Sequence, residues 1–90
     1  MVPNINRALI SANLGTNSIG DEGTAALSET LKSNSTLKEL KLWKNKIGAA
    51  GAQSLADMLQ FNRALTSLDL SYNKVGDGGA KAIADSLPQS

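Results

Sequence analysis

The fold class this chain predicts is a parallel α/β solenoid, with strands on its inner side and helices on its outer side. Three observations predict it. A pattern returns every 28 residues through the 90-residue chain: Asn6, Asn34 and Asn62; Leu9, Leu37 and Leu65; Leu14, Leu42 and Leu70; Asn17, Asn45 and Asn73; Gly20, Gly48 and Gly76; Gly23, Gly51 and Gly79; Leu31, Leu59 and Leu87. An exact period means stacked equivalent units, none able to bury its apolar face alone. Within each copy the apolar spacing switches from two residues, the period of a half-buried strand, to the three-to-four of an amphipathic helix. Strand–helix alternation at this spacing then makes successive strands parallel.

The first copy, about 6–33, predicts a strand near 10–14 and a helix near 21–32. It is diluted: Ala12 stands where the other copies have leucine, and Pro3 interrupts any preceding helix. The middle copy, 34–61, is the clearest. Leu37, Leu40 and Leu42 point to one side of a strand near 38–42, Asn45 and Ile47 follow, and Gly48 allows a turn. Gly51, Leu55 and Leu59, with Ala52, Ala56 and Met58 beside them, form the stripe of a helix near 49–60, and Gln53, Asp57 and Gln60 take the opposite face. The last copy, 62–89, predicts a strand near 66–70 and a helix near 77–87. Its apolar set of Leu68, Leu70, Val75, Ile83 and Leu87 has no following copy to cover it, and its strand is a free sheet edge. The expectation is one domain, 1–90, taken from a longer array.

The run Leu37-x-x-Leu40-x-Leu42-x-x-Asn45-x-Ile47-Gly48-x-x-Gly51-Ala52-x-x-Leu55-Ala56-x-x-Leu59 resembles the leucine-rich repeat of the ribonuclease-inhibitor type. It is close to the repeats of NOD-like receptors and of Ran GTPase-activating proteins. The likeness is continuous from Ile19 to Leu87 and weaker before Leu14. It implies a leucine-rich-repeat solenoid, a segment of a horseshoe, in which Asn17, Asn45 and Asn73 form an asparagine ladder between neighbouring turns. The motif speaks strongly for fold and weakly for function, because this repeat serves many unrelated proteins.

Composition narrows the function. Net charge of +1 gives no long-range pull toward nucleic acid or anionic membrane. Without cysteine or histidine there are no disulfides, thiolates, imidazole bases or common zinc ligands. No apolar run approaches the roughly 20 residues of a membrane helix, and the start Met1-Val2-Pro3-Asn4 lacks a signal pattern, which favours a cytoplasmic location. Asp21, Glu22 and Asp77 sit where helices begin and suit the positive end of the dipole. The acidic row Glu29, Asp57 and Asp85 falls on the solvated helix side, without convergent metal ligands. Gly76-Asp77-Gly78-Gly79 lacks the Lys-Ser/Thr ending of a phosphate-binding loop. Asn34-Ser35-Thr36 fits a glycosylation sequon by accident of a loop. The recurring Gly23, Gly51 and Gly79 are expected to let helix approach sheet.

What remains free to differ is the strand face. Its rows are Ser11, Glu39 and Ser67; Asn13, Lys41 and Asp69; Gly15, Trp43 and Ser71; Thr16, Lys44 and Tyr72. Trp43 takes a position held by Gly15 and Ser71 elsewhere, so the core does not require it. An exposed indole near Lys41, Lys44 and Tyr72 has the chemistry of an interface anchor. The sequence therefore predicts a non-enzymatic module that binds a protein partner through Glu39, Lys41, Trp43, Lys44, Asp69 and Tyr72, with no cofactor, metal or catalytic group. Two alternatives stand beside it: a homodimer through the open end, tested at Leu68, and a regulator of a GTPase by analogy with the Ran GTPase-activating proteins. Lys41 beside Asp69 is expected to pair across the sheet.

Overall fold

The computed structural model describes residues 10–86. Strand β1 (Ser11–Asn13) leads to helix α1 (Gly20–Lys32), β2 (Glu39–Lys41) to α2 (Ala49–Leu59), and β3 (Ser67–Asp69) to α3 (Gly76–Ser86). The strands form one parallel sheet in chain order. Its register aligns Ser11, Glu39 and Ser67, then Ala12, Leu40 and Leu68, then Asn13, Lys41 and Asp69. The helices pack in the same order, α1 on α2 and α2 on α3. Expectations for Pro3, Asn6, Leu9 and Leu87, and for the side chain of Asp85, lie outside the described residues.

The strands are shorter than the leucine spacing predicts, because the chain starts to turn directly after them. Thr16, Lys44 and Tyr72 adopt left-handed backbone angles (φ 58°, 53° and 60°), as do Ser18 and Lys46 (51° and 60°). Hydrogen bonding between coils nonetheless continues through the turn. Leu14 N–H donates to Lys41 O and Leu42 N–H to Asp69 O, both at 2.8 Å, and Thr16 and Lys44 N–H reach Trp43 O and Ser71 O at 3.0 and 2.9 Å.

The core is centred on the middle copy. Leu37, Leu40, Leu42 and Ile47 meet Leu27 and Leu31 of α1 and Leu55, Met58 and Leu59 of α2, and all are buried. Burying each such side chain stabilises by about 1.5–3 kcal/mol. Burial fades toward both sheet edges, where Leu14, Ile19, Leu68, Leu70 and Val75 are only partly covered.

Two asparagine ladders satisfy the polar backbone between coils. Asn45 Oδ1 accepts from Asn17 N–H (2.8 Å) and Ile19 N–H (3.3 Å), while its Nδ2 donates to Leu14 O (2.8 Å). Asn73 does the same for Asn45 N–H, Ile47 N–H and Leu42 O. The second ladder lies at the helix-to-strand return. Asn62 Nδ2 donates to Leu31 O and Asn34 O (2.7 and 2.9 Å), and its Oδ1 accepts from Ala64 and Leu65 N–H. Asn34 Oδ1 likewise takes Thr36 and Leu37 N–H. The sequence shows Asn34 and Asn62 as repeated but does not say why; this return is the reason.

Two local expectations change. A Cβ on Gly51 would stand 2.7 Å from Asp21 Oδ1 and Ile47 Cγ2, and one on Gly79 2.9 Å from Ala52 Cβ and 3.2 Å from Val75 Cβ. These glycines therefore admit the preceding helix and their own turn, rather than bringing helix to sheet. Asp21 sits in the first turn of α1, but its Oδ1 accepts from Gly48 N–H (2.7 Å) and Gly51 N–H (3.1 Å). It caps the next helix, whose own N-cap residue, Gly48, has no side chain to do so. One period later stands Ala49, and no comparable carboxylate serves α3 among the described residues.

Candidate protein-interaction site

The sheet register sets the strand-face residues side by side in rows, and the structure separates those with local work from those without. Glu39 Oε1 accepts the Ser11 hydroxyl at 2.6 Å. Asp69 Oδ1 accepts Ser71 N–H at 2.9 Å, as Asn13 Oδ1 accepts Gly15 N–H at 3.1 Å, so both short side chains hold the turn that follows their strand. The Ser71 hydroxyl, then the Ser71 N–H, hold the Asp69 carboxyl below its ordinary value; partial desolvation opposes them, and Lys41 on the neighbouring strand adds to the lowering. Lys41 stands in register with Asp69 but forms no ion pair with it among the described residues. The expected cross-sheet pair is thus a long-range attraction, because Asp69 is turned toward Ser71.

Trp43 is half-buried, not the exposed indole the sequence predicts. Its ring lies across Gly15 so closely that a Cβ at position 15 would collide with Cε2, Cζ2 and Nε1. The apolar ring gains cover from the one neighbour in its row that has no side chain. Trp43 keeps part of its surface accessible beside that contact.

Lys44 and Tyr72 are the candidates the structure brings together. They follow β2 and β3 in left-handed backbone, and Tyr72 is 83% exposed. With Thr16, Ser18, Lys46 and Lys74 they line a cleft of 630 Å³ along the strand-to-helix turns. Trp43, Glu39, Lys41 and Asp69 lie on the strand face beside it and do not line it. Lys46 and Lys74 are functional candidates that sequence reasoning misses. The available signal was their shared repeat position, between the ladder asparagine and the apolar Ile47 or Val75, where the first copy has Ser18.

Among the described residues no cluster of three or more metal-ligating side chains occurs, and no helix is long and apolar enough to cross a membrane. No curated protein matches the chain in sequence. Among solved structures, that of leiomodin-1 actin-binding site 2 is similar, with a TM-score of 0.80 and 27% identity over 86% of this chain and 45% of that one. This chain therefore spans less than half of that structure. The leucine-rich-repeat family model matches residues 33–56 and 61–84, more than half of the sequence. Its two matched segments each take in a strand, its ladder asparagine and most of the helix that follows. The chain belongs to the leucine-rich-repeat family.

Proposed function

We propose that the chain is a non-enzymatic protein-interaction module that engages its partner through the strand face and the adjoining turn edge. The observation that carries this reading is the pairing of a scaffold whose ladders bond the middle coil to both neighbours and a surface that the scaffold leaves free. Asn45 is completely buried and bonded, whereas Tyr72, at 83% exposure, contributes nothing to the core. Exposed Tyr and anchored Trp beside lysines are the residue types that concentrate binding energy. We read the three strand–helix pairs as successive 28-residue coils of a ribonuclease-inhibitor-type solenoid, a horseshoe segment akin to those of NOD-like receptors. The reading extends to a cytoplasmic setting and to membership in a longer array.

The similar leiomodin structure is described as an actin-binding site, which makes actin the first partner to test. Cosedimentation with actin filaments should retain the wild-type chain. The Trp43→Ala and Tyr72→Ala variants should each weaken binding by about 1–2 kcal/mol. A partner bound equally by wild type and both variants removes the proposed face; absence of actin binding removes actin alone.

A second reading, self-association through the β3 edge, has its own observation. Leu68, Leu70 and Val75 are only partly buried, whereas their counterparts Leu40, Leu42 and Ile47 are completely so. The amides of Asn45 and Ile47 find Asn73 Oδ1, but among the described residues nothing plays that part for Asn73 and Val75. On this reading a Leu68→Lys change converts a dimer to a monomer in sedimentation. A wild-type chain that stays monomeric at high micromolar concentration excludes it.

A further inference from the structure

We propose that the cleft along the strand-to-helix turns is a docking groove for an acidic, extended peptide segment. The proposal rests on reading the chain as a protein-interaction module, and it names the chemistry that the module selects. Lys44, Lys46 and Lys74 all line this one cleft, although the whole chain carries a net charge of only +1. None of the three forms an ion pair among the described residues. Asp21, the acidic side chain in the lining, is already turned to the Gly48 and Gly51 N–H groups. A positive field is therefore left without an internal partner, and it is focused in a recess rather than spread over the surface.

The fold does not demand these lysines. At the positions of Lys44 and Lys46 the first copy has Thr16 and Ser18, and the third has Tyr72 in place of Lys44. What the fold does supply is their placement, since Lys44 and Lys46 each hold a left-handed backbone angle that orients them within the turn. By contrast, the strand face is mixed in sign: Glu39 already accepts from Ser11, Asp69 accepts from Ser71, and Lys41 lies beside Asp69. An acidic ligand is drawn to the turns and not to the strands.

Shape points to an extended segment. The lining comes from the turns of all three coils. Parallel strands lie about 4.8 Å apart, so the three turns span about 10 Å, roughly the length of three extended residues. Carboxylates on alternate residues of such a segment would meet lysines of successive turns. The exposed Tyr72 ring adds apolar contact in the same lining.

The test uses the full chain and a fluorescent hexaglutamate peptide, with hexaglutamine as its uncharged match, read by anisotropy. The glutamate peptide should bind at least ~10-fold more tightly at about 0.01 M salt than at about 0.15 M, as the Debye length falls from ~30 to ~8 Å. The Lys46→Glu, Lys74→Glu double variant should lose at least ~10-fold in affinity, which is more than isolated surface pairs provide. Lys38→Glu, an exposed lysine outside the cleft, should stay within about twofold of wild type. Circular dichroism checks that each variant is folded. Equal weakening by Lys38→Glu, equal binding of hexaglutamine, or a single-stranded oligonucleotide that outcompetes the peptide would each overturn the proposal. Actin binding that persists in the double lysine variant, without peptide binding by wild type, sinks the groove and leaves the interaction module standing. Loss of the Trp43 and Tyr72 effects with peptide binding intact does the reverse.

Discussion

Replacing Asn45 with alanine tests the ladder more sharply than any leucine deletion, because the same residue type at Asn17 supplies an internal control. Asn45 is fully buried and serves two amides of the preceding coil, Asn17 N–H and Ile19 N–H, that have no other acceptor among the described residues. Its donation to Leu14 O is partly redundant, since Asn17 Nδ2 also reaches that oxygen at 2.8 Å. The cost of Asn45→Ala therefore comes mainly from two orphaned donors. A buried donor left unsatisfied costs about 1–3 kcal/mol, and because Asn17 and Ile19 retain some solvent access the lower end applies. The vacated volume adds about 1 kcal/mol, for a total of roughly 3 kcal/mol. A domain of this size holds about 5–13 kcal/mol in all.

Asn17, in contrast, is exposed, and its side chain bonds only within its own turn, to Leu14 O and Gly15 O. Asn17→Ala should cost about 0.5–1 kcal/mol, one ordinary hydrogen bond. Urea unfolding followed by circular dichroism measures both: the midpoint should fall several-fold further for Asn45→Ala, with the slope unchanged in each. If the two variants lose equal stability, or if Asn45→Ala loses less than about 1 kcal/mol, the ladder is not what holds the coils together.

Two further predictions concern the helices. Gly51→Ala should destabilise by about 1–2 kcal/mol despite alanine's better helix propensity, because its Cβ meets the stiff Ile47 side chain and the hydrogen-bonded Asp21 carboxylate; Gly78→Ala, with nothing within 4 Å, should instead gain up to about 1 kcal/mol. A thermal melt of each variant separates them by sign. Asp21→Ala should cost about 1 kcal/mol through the lost cap of α2, and Ala49→Asp should recover a similar amount by giving α3 the carboxylate that α2 already has; unchanged melting in both would show that the bond across coils contributes nothing.

Period and spacing carried the elements well, and the places where they stopped are informative. The helix near 49–60 is observed as Ala49–Leu59, and the buried set Leu37, Leu40, Leu42 and Ile47 is the one the spacing marks. The strand ends were not legible, because they depend on where backbone angles turn left-handed at Lys44 and Tyr72, residues with no intrinsic preference for that region. A repeated glycine announces that a Cβ has no room but not which neighbour takes the space, and at Gly51 and Gly79 that neighbour is the preceding helix with the residue's own turn, not the sheet. Asp21 shares its repeat position with Ala49 and Asp77, so the period is broken there, and an interrupted row does not assign its side chain a neighbour on the next coil. The cleft is hidden for a related reason: Lys46 and Lys74 belong to one row and Lys44 to another, and only the folded turns bring both rows around one recess.

The same stacking that makes the scaffold legible also limits how freely the strand face can vary. Residues 28 apart on this face are direct neighbours in the sheet, as the Ser11–Glu39 bond shows. Trp43 can lie down only because position 15 is glycine; any side chain there would lift the indole off the sheet. A large residue on one coil thus constrains the size of its neighbour on the previous coil, while Ser71 on the following coil is small but not required to be glycine by any contact of this kind. Strand-face positions in such a stack therefore vary in pairs along the rows rather than one at a time. Gly15→Ala should disturb the Trp43 environment, seen as a shift in indole fluorescence, before it disturbs folding. If the emission does not move, the indole is not held by Gly15, and Trp43 reverts to a freely exposed anchor.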